Sequence, residues 1–202
     1  MPLIESTVSV LLLWAVIGYL IGSVPFGVVI ARVMGLGNLR EIGSGNIGAT
    51  NVLRTGSKPA AIATLLLDGA KGAVALLLAR AFSGEDAAQI AALAAMLGHC
   101  YPVWLKFKGG KGVATFLGIL LALAWPAGIG ACIAWLVAAG LSRMSSMGGL
   151  FAAAMSSVLV VLTGFGTTYL LALALTLIVF WRHRENIARI RAGTEPKIGQ
   201  KG

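Results

Sequence analysis

Seven apolar stretches, at residues 7–34, 59–82, 87–105, 113–125, 127–141, 147–164 and 168–181, leave little of this chain for anything else. A backbone in hydrocarbon must satisfy its own hydrogen bonds, so such stretches fold as helices. About 20 apolar residues cross a hydrocarbon core of about 30 Å. With 58% hydrophobic and 11% charged residues, an ordinary soluble domain is excluded, since those carry about 25% charged residues. The expectation is an all-α, polytopic membrane protein of about seven transmembrane helices, forming one domain over residues 1–202.

Charge orients it. The connections at 35–58, 106–112 and 142–146 carry Arg40, Arg54, Lys58, Lys106, Lys108, Lys111 and Arg143, and a basic tail follows Trp181. The connection at 83–86 carries Glu85 and Asp86 instead. Lysine and arginine stay on the cytoplasmic side, which puts the N-terminus outside and the C-terminus inside. Of 16 such residues, Lys71 and Arg80 alone fall off the inner side. The early residues hold Glu5 and no basic cluster, so the first segment reads as a retained helix rather than a cleaved signal. Region 112–141, split at Trp125-Pro126, gives two short pieces. Merged into one helix they would put the basic tail outside. Parity favours two crossings, short and tilted, or a short pair that stops before the far face.

The net charge of +9 on a membrane chain points to anionic lipid and an anionic substrate, not to nucleic acid. Cys100 and Cys132 form no C-x-x-C pair and read as small buried hydrophobes. His99 and His183 have no Cys or carboxylate at ligand spacing, so neither a metal nor a cofactor is expected.

Three polar islands interrupt the apolar pattern, all on the inner face. The first is Gly43-Ser44-Gly45-Asn46-Ile47-Gly48-Ala49-Thr50-Asn51-Val52-Leu53-Arg54. Its glycines let N–H groups converge; Ser44, Asn46, Thr50 and Asn51 add neutral donors, and Arg54 a phosphate-matching fork. It contains G-x-G-x-x-G, but the dinucleotide motif needs a strand before it, and here a hydrophobic helix precedes. The second island runs 98–115. Gly109, Gly110 and Gly112 flank Lys111 where a helix should begin, the ingredients of a phosphate seat. Leu105 and Gly112 stand where a Walker loop requires Gly and Ser/Thr, so nucleotide hydrolysis fails. The third runs 182–197, where His183, Asn186, Ile187 and Ile190 share one helical face. Glu195 is expected to pair with a nearby base and fold the tail back over the site.

Two further features sit inside the segments. Ser23 and Pro25 in Gly22-Ser23-Val24-Pro25-Phe26-Gly27 break the first helix, as a plain kink or as a helix end that opens toward the inner face, with Ser23 expected among the substrate-binding residues. Asp68 and Lys71 stand three residues apart on a membrane helix, either neutralising each other or supporting the site, with His99 as another such support. Transport sites lie nearer mid-bilayer. Islands gathered at the interface suit an enzyme that takes a lipid tail from the side and a soluble anion from below.

In order along the chain, these motifs resemble the bacterial membrane glycerol-3-phosphate acyltransferase family that uses acyl-phosphate as donor. The likeness covers G-S-x-P-F-G, G-S-G-N-I-G-A-T-N-V-x-R, D-x-x-K-G, G-H-x-x-P-x-x-x-x-F-x-G-G-K-G-V-A-T, and R-H-x-x-N-I-x-R with a later G-x-E-x-K. The resemblance implies seven helices in the bacterial inner membrane and a cytoplasmic site. It implies acyl transfer to the 1-hydroxyl of glycerol 3-phosphate, giving lysophosphatidic acid and inorganic phosphate, without metal, cofactor or obligate protein partner. Carried over, the functional positions are Ser44, Asn46, Arg54, Lys111 with its glycines, His183 and Asn186, with Glu195 structural. Covalent acylation of Ser44 is disfavoured because no base is adjacent in sequence. The proton of the attacking hydroxyl goes either to His183 or to the leaving phosphate. Other readings are acyl-CoA or acyl carrier protein as donor, or a permease for an organic phosphate.

Overall fold

The computed structural model describes residues 2–199. Its order is α1 (Val8–Ser23), α2 (Phe26–Val33), α3 (Ala49–Leu53), α4 (Lys58–Ser83), α5 (Glu85–Cys100), α6 (Val113–Leu123), α7 (Trp125–Ser142), α8 (Ser145–Leu162), α9 (Tyr169–Arg182) and α10 (Arg184–Arg191), with no strand among the described residues. The all-helical, polytopic expectation is met. Leu66, Leu136, Leu162 and Leu177 are each more than 60% exposed around the bundle, an apolar belt that only lipid covers.

Close helix contact comes from small residues. α1 and α5 lie side by side; a Cβ on Gly18 or Gly22 would stand 2.4 or 2.0 Å from the carbonyl oxygen of Ala91 or Ala95. In lipid the association of helices rests on such packing. Buried Ala87, Ala88, Ala91 and Ala92 continue the seam into the core.

Length and composition qualify five helical spans, or six when α9 and α10, bent 60° at His183, count as one. The sequence segments suggest seven, and the difference is α6. Its 11 residues extend about 16 Å, half a membrane. The cause lies in the loop before it. Gly109 and Gly110 donate to the carbonyls of Cys100 and His99 (both 3.1 Å), so the chain folds back along α5 before α6 starts. Thr115 then donates to the Asp68 carbonyl at 2.8 Å, ten residues into α4. At its other end, Arg80 caps the Ala122 carbonyl of α6 (2.9 Å) and pairs with Glu85 (2.8 Å).

At that end of the bundle Asp86 accepts from the backbone of Glu5 (3.0 Å) and Ser6 (2.7 Å), tying the N-terminal segment to α5. The opposite end carries the polar islands. Pro25 separates α1 from α2, and the Val24 carbonyl at this break accepts from Lys71 Nζ at 2.9 Å. Lys71 also contacts Asp68 at 2.9 Å, both side chains buried. The two alternatives for this pair are thus one arrangement: mutual neutralisation that also caps the helix break. Ser23 is spent here too. It is buried, donates to Leu20 (2.8 Å) and accepts from Trp104 Nε1 (2.8 Å), so its hydroxyl braces the break instead of facing a ligand.

Candidate active site

A cavity of about 140 Å³ opens at the island end, and all three islands line it. The first supplies Ser44, Gly45 and Asn46, preceded by Arg40. The second supplies Gly109 and Lys111, and the third Arg182, Arg184 and Glu185. Residues more than 60 positions apart therefore meet in one strongly basic concavity.

The first loop is shaped by Asn51. Buried, it donates through Nδ2 to the carbonyls of Leu39 (2.9 Å) and Asn46 (2.7 Å), and its Oδ1 accepts the Ser44 N–H at 3.1 Å. Gly43 turns with φ +52°, a conformation glycine takes without steric cost. Asn51 therefore holds the loop from beneath, not a ligand from within. Arg54 lies under Gly43, its Nη1 3.4 Å from Asn51 Oδ1, and does not line the cavity. Thr50 is exposed at the start of α3 beside Gly48, which caps that helix.

In the second loop the expected N–H cradle is turned inward. Gly109 and Gly110 donate to α5, as described, so their N–H groups are not offered to an anion. Gly110 is glycine for clearance: a Cβ there would stand 2.2 Å from His99 Nε2. His99 in turn faces Asp68, Nδ1 to Oδ1 3.7 Å, so the ion pair beneath supports the loop above. Gly112 caps α6 with φ +84°. Lys111 Nζ has no hydrogen-bond partner among the described residues. Burial brings its pKa down to about 8, with Arg189 and Arg182 adding repulsion against the pull of Glu195.

His183 forms the bend between α9 and α10 and is 2% exposed. Its Nδ1 meets the Val179 carbonyl at 2.8 Å. A carbonyl only accepts, so Nδ1 carries the proton and Nε2 the lone pair in the neutral ring. Nε2 faces Gly149, where a Cβ would lie 3.6 Å away. One turn on, Asn186 donates to Glu195 Oε1 at 2.6 Å, while its buried Oδ1 has no partner among the described residues. Glu195 also accepts from Ser146 (2.6 Å) and Arg189 (2.7 Å). Burial would raise its pKa, but these hydrogen bonds outweigh it and hold the carboxyl below its usual range. The tail is thus folded back as expected, and the Ile198 N–H bonds the Arg143 carbonyl at 2.6 Å.

Two contributors were not singled out from the sequence. Arg40 joins the first loop to the second, through the carbonyls of Gly45 (3.1 Å) and Lys108. Arg182 joins the third island to the second, through Gly110 (3.1 Å) and Gly109 (3.3 Å). The one sequence signal was their placement, Arg40 three residues before Gly43 and Arg182 next to His183.

Packed apolar helices, an exposed apolar belt and a basic cavity at one end define an integral membrane protein built to meet an anion at that end. Within that class, the chain belongs to the glycerol-3-phosphate acyltransferase family, whose model matches residues 12–193. It is 67% identical to a glycerol-3-phosphate acyltransferase of Roseobacter denitrificans over 98% of this chain and 100% of that one. With one of Ruegeria pomeroyi it shares 66% over 100% and 99%. Its fold matches the crystal structure of PlsY (YgiH), an integral membrane glycerol 3-phosphate acyltransferase, in the glycerol 3-phosphate form. There the TM-score is 0.88 at 36% identity, covering 94% of this chain and 96% of that one. The lysophosphatidic acid form of that enzyme matches with a TM-score of 0.85.

Proposed function

We propose that the protein is an acyl-phosphate-dependent glycerol-3-phosphate 1-O-acyltransferase of the bacterial inner membrane, working at the cytoplasmic face. The observation that carries this is the meeting of Ser44, Asn46 and Lys111 in one basic cavity, with the buried His183 within electrostatic reach of Lys111 and Asn186 buried one turn further along α10. The PlsY crystal forms with glycerol 3-phosphate and lysophosphatidic acid support the acceptor and the product.

In this reading the 1-hydroxyl of glycerol 3-phosphate attacks the acyl carbonyl, the acyl–oxygen bond to phosphate breaks, and phosphate leaves with the electron pair. An acyl-phosphate is already activated, so the step needs no enzyme nucleophile and no metal. Lys111 and Ser44 stabilise charge on the reacting groups. Asn186 Oδ1, an unused buried acceptor, orients the attacking hydroxyl. Two acceptors compete for the hydroxyl proton: His183 Nε2 and the phosphate oxygens. His183→Gln keeps a polar side chain without the basicity, so retained turnover assigns the proton to phosphate and loss assigns it to His183.

Purified protein given glycerol 3-phosphate and acyl-phosphate, acyl-CoA or acyl carrier protein tests the donor. Lysophosphatidic acid and one inorganic phosphate per turnover are expected from acyl-phosphate alone, at a rate a chelator does not change. The cavity and its short loops fit small phosphates and offer no grip for a nucleotide or a carrier protein. Efficient use of acyl-CoA would overturn the donor assignment. Saturable uptake of glycerol 3-phosphate into sealed vesicles without acyl transfer would overturn the enzyme.

A further inference from the structure

Acyl-phosphate and glycerol 3-phosphate each bring a phosphate, so two anions must be neutralised at once. Lys111 is one cation; Arg54, the obvious second in the sequence, packs against Gly43 and does not line the cavity. Three guanidinium groups line it: that of Arg184, which faces Glu185, and those of Arg40 and Arg182. The latter two are held by backbone carbonyls, which are neutral and leave the positive charge uncompensated. Their anchors, Lys108, Gly109 and Gly110, are consecutive residues, so the two forks share one strip of backbone. Two of each guanidinium's five N–H groups are used by these anchors, leaving three. Arg182 is held further by the Tyr101 ring at 5.0 Å.

This arrangement opposes itself. Burial and then the charge of Arg182 lower the pKa of Arg40. The cavity's carboxylate, Glu185, is 3.7 Å from Arg184 and 74% exposed, so it answers a different cation. Two like charges are thus held on one strip of backbone with no carboxylate paired to either, an arrangement that a phosphate dianion would neutralise.

We propose that Arg40 and Arg182 form a two-guanidinium clamp for a phosphate group, a seat beside that of Lys111. The clamp deepens the acyl-transfer reading and rests on it for which substrate the phosphate belongs to. Planar guanidinium groups bind phosphate through paired N–H donors, which Lys cannot imitate.

The test titrates inorganic phosphate into purified wild-type protein, Arg40→Gln, Arg182→Gln and Arg182→Lys, with steady-state kinetics for both substrates. Each Gln variant is expected to weaken phosphate binding about tenfold or more and to raise one substrate's KM by a similar factor, with kcat changed less. The KM that moves names the phosphate held. Arg182→Lys should recover only part of the affinity. Unchanged phosphate affinity and KM, with a lowered kcat or melting temperature, would reduce both arginines to backbone staples and overturn the clamp. Phosphate binding that depends on both arginines, in protein that transfers no acyl group from any donor, would uphold the clamp and sink the acyl-transfer reading. Should a Gln variant not fold, phenylglyoxal labelling of the wild type gives an independent answer. Phosphate should protect Arg40 and Arg182, and absence of protection at both overturns the proposal.

Discussion

In the loop at 43–54 a side chain does the organising, whereas in the loop at 109–112 the backbone does. Asn51 reaches two backbone groups of its own loop and the Leu39 carbonyl before it, and Gly43 turns there with φ +52°. Around it packs a small separate cluster of Ala31, Leu39, Val52, Ala60 and Ala61. The second loop pairs with the end of α5, and Gly110 is there for the space that a Cβ would take from His99. Below His99 lie Asp68 and Lys71, and through Lys71 the break in the first helix. Gly43 thus combines a turn with the close approach of Arg54, whereas Gly110 marks a close contact alone. The first loop is locally supported, and the second is braced by the core of the bundle.

The largest effect should come from the cation that the second loop presents. Lys111→Ala is expected to lower turnover about 10²–10³-fold, the cost of one transition-state donor, in protein of normal abundance. Asn51→Ala comes next, at about tenfold to a hundredfold, since it strands buried backbone groups worth about 1–3 kcal/mol. Helical melting followed by circular dichroism should barely move. A large drop in melting temperature would show that the first loop is not local. Gly110→Ala should do the reverse, with overpacking costing about 1–3 kcal/mol of stability and activity falling with it. Adding His99→Ala should restore part of the melting temperature. Strictly additive losses would mean that no strain passes through His99.

A smaller effect follows from the lowered pKa of Lys111, about 8. The ammonium is charged below that pH, so KM for glycerol 3-phosphate should be flat near pH 7. It should climb above pH 8 toward about tenfold per unit. Lys111→Arg, always charged, should flatten the rise; an unchanged rise would assign it elsewhere. Cys132→Ala, which touches neither loop, should leave rate and melting temperature alone.

The apolar spans were legible because hydropathy acts over some twenty residues at a time. The length of α6 was not, since residues 113–125 do not reveal how deep the preceding loop carries the chain. The gathering of the islands could be read from charge placement. Arg40 and Arg182 were hidden by that same signal, because the positive-inside tendency accounts for an inner-face arginine without any task. Gly109, Gly110 and Asn51 read as donors to an anion, and their N–H groups turned out to be committed to the protein itself. Which way a donor points is decided by contacts that no local pattern of residues carries.

Arg40 closes a loop of 68 residues on Lys108, and Arg182 one of 72 on Gly110. A chain made from its N-terminus emerges with the first two islands long before the third. Ring closures of this length are entropically late events, and the second waits for the final span. Asn186, Glu195 and the strap onto Arg143 come later still. Assembly of the site is therefore also a completeness check: a chain halted in mid-synthesis carries two basic loops at the membrane but no finished pocket.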